Sequence, residues 1–313
     1  MDNLLARFAE NAFWMGRYME RAENLARILD VNETFARGSS EEEVWLPILR
    51  LHGEEEAFLE RHDKATAREV VHYYTLERAS PNSIRSCLDV ARDNARTMRH
   101  LISTEMWRQL NVFHTWLCSL TRRDIRIDRL SSVCAQIKEN CQTHAGILEG
   151  TLHRDQFWHF YQLGKAIERA GQTTRLIDIK SHLLTGSADD YAAIDIAQWN
   201  ALLRSAAGYH AFRRIYPRGM DPQHVADFML LDRAYPRSVA CSIHEVDSLL
   251  YGLRRNSGLN KASEIRKQIN PLLEEIEARP YGNALRTDLG AFVDRLQIRL
   301  DDLATRISTM FFR

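Results

Sequence analysis

Apolar residues recur every three or four positions along most of the chain, which is the spacing of a helix with a buried face. No run alternates apolar and polar residues between hairpin turns, as a half-buried strand would. The pattern therefore predicts an all-α fold, a helical bundle. The predicted helices cover residues 4–36, 42–62, 65–79, 82–102, 105–121, 127–150, 152–184, 192–215, 222–235, 237–254, 261–278 and 286–311.

Proline and serine suggest where some helices begin. Ser80 followed by Pro81 resembles an N-cap with proline at the first helical position, and Pro236 stands at a similar place in the second half of the chain. The sequence thus predicts helix starts at both prolines.

Three blocks of residues recur in the same order in the two halves of the chain. The first pairs Gly16, Glu20, Arg21, Ala22, Arg27 and Asp30 with Gly164, Glu168, Arg169, Ala170, Arg175 and Asp178. The second pairs Trp45, Leu49, Arg50, Ala57 and Phe58 with Trp199, Leu203, Arg204, Ala211 and Phe212. The third pairs Val70, Leu76, Arg78, Ala79, Pro81 and Ser83 with Val225, Leu231, Arg233, Ala234, Pro236 and Ser238. Ordered recurrence of this kind predicts a tandem duplication.

The predicted repeats are residues 1–150 and 151–313. Because identical units commonly associate about a two-fold axis, we expect pseudo-two-fold symmetry within one compact unit. The equivalent long helices 4–36 and 152–184 would then form a central pair.

A polar stripe runs along each of these long helices between apolar neighbours. On a helical wheel Glu20 and Arg27 lie nearly opposite the main apolar face, and the second repeat matches them with Glu168 and Arg175. The full candidate layer is Arg17, Glu20, Arg21, Arg27, Lys165, Glu168, Arg169 and Arg175. It is either a buried ion-pair network that fixes helix register, which we favour, or a site that binds or turns over an anionic group.

Two further acid–arginine pairs lie near predicted helix ends. They are Glu77 with Arg78 and Asp232 with Arg233, and Arg237 follows the second pair closely. A structural role as helix caps or loop clamps is the favoured interpretation, with ligand binding as the alternative.

A carboxylate and an imidazole three residues apart raise the question of a metal site. Glu69 and His72 have the spacing found in di-iron bundles, and His224 and Asp227 repeat the two groups in reverse order. Such centres need two further bridging glutamates, which the sequence does not identify. We therefore expect no metal and no other cofactor.

Charge and cysteine content set the expected surroundings of the protein. The 42 basic and 42 acidic residues give no reason to expect nucleic acid as a partner. The five cysteines form no C-x-x-C pair, which suits reduced thiols in the cytoplasm. We find neither an apolar signal core at the N-terminus nor a stretch apolar enough to span a membrane.

Sequence motifs of common enzymes are also missing. The chain has no P-loop, no dinucleotide-binding G-x-G-x-x-G, no H-E-x-x-H and no G-x-S-x-G. We therefore assign no catalytic residue from the sequence.

Six segments resemble the bacterial alpha-E domain family, and together they extend over most of the chain. They are AENAFWMGRYMERAEN (9–24), SPNSI (80–84), ARDNAR (91–96), EMW (105–107), LGKAIERA (163–170) and FMLLDRAYPRS (228–238). The chain departs from the family at Gly171, where an aspartate is usual.

The resemblance implies a functional context. Proteins of this family are encoded beside a circularly permuted ATP-grasp ligase and a transglutaminase-like peptidase. This implies a non-catalytic helical partner of a system that forms or processes amide-linked peptides. The alternative is an enzyme of the same pathway that acts through the Glu/Arg layer on an anionic or peptide substrate. The oligomeric state does not follow from the sequence.

Overall fold

The computed structural model describes residues 4–35, 41–183, 192–278 and 289–313. Within these ranges all regular secondary structure is helical, which confirms the predicted all-α class. The helices are α1 (Ala6–Phe35), α2 (Glu41–Leu51), α3 (Glu55–Leu59), α4 (Ala67–Thr75), α5 (Ile84–Thr97), α6 (Thr104–Ser119), α7 (Ile127–Thr151), α8 (Gln156–Leu183), α9 (Ala192–Ser205), α10 (Tyr209–Ile215), α11 (Pro222–Leu231), α12 (Val239–Ser257), α13 (Lys261–Glu277) and α14 (Leu289–Phe311). None of these helices combines the length and apolar character that crossing a bilayer requires.

The chain divides into two compact units. The middle unit is Trp14–His153, and the terminal unit combines Met1–Phe13 with Arg154–Arg313. The boundary falls inside α1, between Phe13 and Trp14. The tandem duplication and its pseudo-two-fold symmetry stay predictions.

Two helices predicted as continuous are each broken by a residue with positive φ. The predicted helix 42–62 ends at Gly53, with φ +65°, and resumes as α3. The predicted helix 192–215 breaks in the same way at Ala207, with φ +58°, and resumes as α10. In both breaks the following amide bonds back five residues, from Glu54 to Leu49 O and from Gly208 to Leu203 O. A left-handed residue with this bond terminates a helix.

The helices α5 and α12 begin after serine rather than after proline. Ser83 Oγ accepts the Ser86 amide at 3.0 Å, and Ser238 Oγ accepts the Cys241 amide at 3.0 Å. Pro81 precedes the helix within a turn closed by the Ser83 amide and the Ser80 carbonyl. The predicted helix starts at Pro81 and Pro236 are therefore wrong, because a serine cap supplies an acceptor that proline does not.

Helix α1 is buried on opposite sides within the middle unit. Met15, Ala22 and Leu25 are fully buried on one face, and Glu20 is buried on the other. Two-sided burial of this helix confirms what the wheel predicted and marks α1 as an internal helix.

Helix α8 is the internal helix of the terminal unit. It packs against α12 and α14, and its Gly164 lies under the backbone of α1. A Cβ at Gly164 would come 1.9 Å from Phe13 O, so only glycine allows this approach. The predicted contact between the helices of segments 4–36 and 152–184 is confirmed at this crossing.

Candidate functional site

The Glu20 carboxylate lies inside the middle unit. It is 3% exposed, and Asn24 Nδ2 donates a hydrogen bond to its Oε1 at 3.4 Å. Cys141 of α7 is buried nearby, and burial raises the pKa of its thiol well above the ordinary value, with Glu23 and Glu20 adding to the shift. The carboxylate therefore faces protein on the side of α7.

Glu168 has a matching environment in the terminal unit. It is 1% exposed, and Gln172 Nε2 donates to its Oε1 at 3.0 Å. The neighbouring Thr173 is buried and donates to the Arg237 carbonyl at 2.9 Å. In both units a buried glutamate thus accepts a hydrogen bond from an amide side chain four residues later.

Arg27 of the polar stripe pairs with Glu23, a residue that the sequence did not single out. Arg27 donates to Glu23 Oε1 from both Nε, at 3.1 Å, and Nη2, at 2.6 Å. In the second helix Gly171 follows Glu168 by three residues, as Glu23 follows Glu20, and the Arg175 guanidinium lies alongside this glycine. The ion pair of the first long helix is therefore not repeated in the second.

Arg17 and Lys165, which stand three residues before the two buried glutamates, lie toward the surface of their helices. The Arg17 guanidinium stacks 4.7 Å from the centroid of the Trp14 ring, and Lys165 is partly buried. A cation over an indole is stabilised by the ring quadrupole.

Arg21 leads into a buried network that includes a third glutamate. Its Nη1 donates to Asn82 Oδ1 at 2.7 Å, and Asn82 Nδ2 donates to Glu54 Oε1 at 3.0 Å. Ser80 Oγ donates to Glu54 Oε2 at 3.5 Å. Burial raises the pKa of Glu54, although hydrogen bonds from Asn82, Tyr74 and Ser80 oppose the shift. Sequence analysis missed Glu54, because its partners are distant in the chain.

In the terminal unit an aromatic ring, that of Tyr235, lies where the middle unit has the Glu54 side chain. Gly208 follows Ala207 as Glu54 follows Gly53, and a Cβ at Gly208 would lie 2.8 Å from the Tyr235 hydroxyl oxygen. The Tyr235 hydroxyl donates to the Ala206 carbonyl. Arg169 Nη1 donates to the Pro236 carbonyl at 3.4 Å. A carbonyl acceptor replaces the side-chain network seen at Arg21.

Glu77 and Arg78 are adjacent in the chain but contact different residues. Glu77 lies 3.6 Å from His72 Nδ1 and 3.7 Å from His62 Nε2. Arg78 instead contacts Asp89 Oδ2 through its Nε at 3.1 Å. Adjacent residues at the end of a helix thus bind separate partners.

The Asp232–Arg233 pair also separates. Asp232 Oδ1 accepts the backbone amides of Ala234 and Tyr235, at 2.8 and 3.2 Å, which clamps the turn before α12. Arg233 pairs with Glu277 at 3.3 Å. The geometry at Asp232 agrees with the loop-clamp interpretation.

His72 borders a cavity of about 450 Å³ in the middle unit, and Asp128 lies on the same wall. Arg122 Nη2 donates to His72 Nδ1 at 3.2 Å, and Arg122 Nη1 lies 3.5 Å from Glu69. Burial lowers the pKa of His72, and the charge of Arg122 lowers it further. The arginines on the cavity wall are Arg68, Arg122, Arg123 and Arg126. Their charges favour an anion over a metal cation at this place.

His224 and Asp227 have separate environments in the terminal unit. His224 is exposed, with Nδ1 3.4 Å from Asp221 Oδ2 and its ring stacked on Tyr216. Asp227 is fully buried in α11. Their side chains therefore differ too much in exposure to suggest a shared ligand set.

Fold and site define a class of all-helical proteins in which each of two long helices carries a buried glutamate followed by a partly buried arginine. The chain belongs to the Alpha-E family, whose description is a predicted alpha-helical domain with a conserved ER motif, and the match covers residues 4–312. Glu20-Arg21 and Glu168-Arg169 are sequences of this type.

Similar proteins occur in mycobacteria. Uncharacterized protein Mb2597 of Mycobacterium bovis is 25% identical over 326 aligned residues, and Uncharacterized protein Rv2567 of Mycobacterium tuberculosis is 24% identical over the same length. Each alignment covers 95% of this chain but 36% of the relative. The chain thus spans about a third of the length of these relatives. No solved structure matches it.

Proposed function

We propose that this chain is a non-catalytic helical partner of a system that forms or processes amide-linked peptides. In this role the chain binds an ATP-grasp-type ligase or a transglutaminase-like peptidase in the cytoplasm and supports its activity. The burial of both Glu20 and Glu168 carries the proposal.

A carboxylate that performs acid–base or nucleophilic chemistry has to reach its substrate. Glu20 and Glu168 are 3% and 1% exposed, and each accepts a hydrogen bond from an amide one turn later on its own helix. These are the surroundings of a carboxylate that fixes helix packing. The alternative enzyme would have to open a unit before a substrate could meet the glutamate inside it.

The remaining polar contacts also support a structural role. Arg27 is held by Glu23, and Arg21 is held by Asn82 in a network that ends at Glu54. The Arg27–Glu23 pair lies within the first long helix, and the Arg21 network ties that helix to the junction of α2 and α3 and to the turn before α5. They orient the backbone and leave little reason to invoke catalysis.

The length of the relatives supports association with another protein or domain. In the mycobacterial proteins the matched region accounts for 36% of the polypeptide, so about two-thirds of each chain is additional. A helical region that is covalently attached to a longer chain in relatives is suited to non-covalent association here. The resemblance to the alpha-E family supplies the expected partners.

Co-purification tests the proposal directly. The tagged chain would be co-expressed with the neighbouring ligase and peptidase, and the eluate analysed by size-exclusion chromatography with multi-angle scattering. We expect one of the two enzymes to co-elute in a fixed ratio. We also expect amide formation or cleavage to fall at least tenfold when this chain is omitted.

An unrelated helical protein with the same tag serves as the control for co-purification. The proposal is wrong if neither enzyme binds and neither activity changes on addition of this chain. Turnover of a peptide or amino-acid substrate by the purified chain alone would instead support the enzyme alternative.

A further inference from the structure

A carboxylate, an imidazole and a thiol meet between α5 and α6 in the middle unit. Asp89 Oδ1 lies 2.7 Å from His114 Nε2, and Cys118 Sγ lies 3.5 Å from His114 Nδ1 and 3.6 Å from Nε2. One donor atom from each residue falls within 4.8 Å of the other two. All three residues are partly buried, so solvent reaches the cluster.

The two helices hold these groups in a fixed register. His114 and Cys118 stand four residues apart and therefore share one face of α6. That face packs on α5, where Asp89 lies. One turn further along the same seam, Arg92 Nε donates to Asn111 Oδ1 at 2.8 Å, which fixes the helices against sliding.

We propose that Asp89, His114 and Cys118 bind a divalent transition-metal ion, with Zn²⁺ as the best fit. Thiolate and imidazole select zinc over magnesium or calcium, and carboxylate is its third common ligand. Three protein ligands leave a fourth tetrahedral position for water or a small ligand.

The distances allow this coordination after the side chains adjust. With zinc bonds of about 2.3 Å to sulfur and 2.0–2.1 Å to nitrogen, a tetrahedral angle of about 110° requires the separation of 3.6 Å that Sγ and Nε2 already have. Because Sγ is equally close to Nδ1, at 3.5 Å, the Cys118 side chain has to rotate toward Nε2 to share an ion with it. The contact between Asp89 and His114 is a hydrogen bond that Nε2–H donates to the carboxylate, so a metal on Nε2 requires this proton to move to Nδ1 or to pass to solvent. The two atoms must then separate by about half an ångström.

The charges around the cluster determine its fourth ligand. Arg78 Nε and Arg85 Nε each lie 3.1 Å from the Asp89 carboxylate. Burial opposes ionisation of Asp89, yet the hydrogen bond from His114 and the charges of Arg85 and Arg78 hold the pKa of this carboxyl below its usual value. Asp89 is therefore an ionised ligand before any metal binds. The two arginines beside Asp89 weaken its attraction for a cation, so the Cys118 thiolate and the His114 imidazole, which the cavity beside His72 does not combine, supply most of the affinity. An anion such as hydroxide or a carboxylate then suits the open position.

Metal binding has to displace a proton from Cys118. Burial raises the pKa of this thiol, and Asp89 raises it further against the opposing charges of Arg85, Arg78 and Arg92. Affinity for metal should therefore increase with pH, with a proton released on binding. The inference does not depend on the proposed function, because either a partner or an enzyme could carry this site.

Cobalt substitution tests the site through its spectrum. The full-length chain would be treated with a chelator, dialysed and titrated with Co²⁺ at several pH values. We expect one Co²⁺ per chain, visible bands of a tetrahedral ion and a near-ultraviolet thiolate-to-cobalt band. Zn²⁺ should displace the Co²⁺ and raise the melting temperature, because a ligand that binds only the folded state stabilises it.

Substitutions assign the ligands. The near-isosteric Cys118→Ser should abolish the thiolate band, and His114→Gln and Asp89→Asn should each weaken binding at least tenfold. Cys241→Ser is the matched control, because Cys241 is a partly buried thiol whose pKa is also raised by burial. This variant should bind Co²⁺ like the parent.

Two results would overturn the metal site. The first is a parent protein that binds no Co²⁺ or Zn²⁺, and the second is a thiolate band that survives Cys118→Ser. If no metal binds but iodoacetamide modifies Cys118 at a rate that falls in His114→Gln, the cluster is instead a reactive thiol with an imidazole base. If His114→Gln fails to fold, Cys118→Ser alone decides the question.

Discussion

Gly53 and Ala207 adopt the same left-handed conformation at the ends of α2 and α9, with φ of +65° and +58°. They also occupy equivalent positions in the two predicted repeats, since each follows a matching tryptophan, Trp45 or Trp199, by eight residues. Only glycine adopts this conformation without strain. An alanine held in it indicates that the surrounding turn requires the same geometry in both places.

Exchanging glycine and alanine at these positions should have opposite effects on stability. A Cβ at Gly53 would meet nothing within 4 Å, so Gly53→Ala adds only backbone strain. It should lower the free energy of unfolding by about 1 kcal/mol. Ala207→Gly should raise it by up to about 1 kcal/mol, because it relieves the same strain. Urea denaturation measures both, and a neutral Gly53→Ala would show that the junction tolerates another conformation.

Gly164→Ala should strongly destabilise the terminal unit. The new Cβ would meet Phe13 O at 1.9 Å, and a backbone atom cannot rotate aside as a side chain can. We expect a loss of about 3 kcal/mol in the free energy of unfolding. Gly146→Ala in α7 is the matched control, because its Cβ meets nothing within 4 Å. It should add about 0.5–1 kcal/mol through helix propensity. Equal melting temperatures for the two variants would contradict the close crossing.

Glu20→Gln and Glu168→Gln should each lower the melting temperature. The substitution keeps the shape of the side chain but replaces an oxygen of a buried carboxyl group with an amide nitrogen, which cannot accept a hydrogen bond. The expected loss is up to about 3 kcal/mol. Any loss of system activity should follow the loss of folded protein, as measured by calorimetry beside the reconstituted assay.

The same two variants discriminate between the partner and the enzyme. If both fold and melt like the parent yet abolish activity, the glutamates are catalytic or ligand-binding residues and the structural interpretation fails. Asn24→Ala and Gln172→Ala give a useful comparison, because they remove the amide donors and leave the charges in place.

Glu54 should make the stability of the protein depend on pH. Burial raises its pKa above the reference value of 4.5, so ionisation is harder in the folded than in the unfolded chain. Its contribution to stability is full below pH 4.5 and is lost as the pH rises through the folded pKa. Glu54→Gln cannot ionise. The melting temperature of this variant relative to the parent should therefore rise from acid to neutral pH. A difference that is constant across this range would mean that Glu54 titrates normally.

The sequence was informative wherever a property repeats along one helix. Two-sided burial of α1 and the paired glutamates follow from helical spacing alone. The helix break at Ala207 does not, because alanine is a strong helix former and gives no sign of a left-handed turn. The ion pair of Glu23 and Arg27 has the readable spacing of four residues, but it was overlooked because the second half has glycine in place of the acid.

Sites assembled from several helices could not be predicted from the sequence pattern. Glu54 depends on Ser80 and Asn82, which the fold brings to it from another turn. The spacing of His114 and Cys118 is visible in the predicted helix 105–121, yet Asp89 completes that cluster only through the packing of α5 on α6. Such groups become apparent when the register between helices is known.

The boundary inside α1 has a consequence for the order of folding. Phe13 and Gly164 are in contact, and the whole middle unit lies between them in the chain. Closing a disordered loop of that length would carry a large entropic cost. The cost falls when the enclosed segment is already compact, because fewer flexible residues remain to be restrained. We therefore expect the middle unit to fold first as the chain leaves the ribosome, while the first turns of α1 wait for α8.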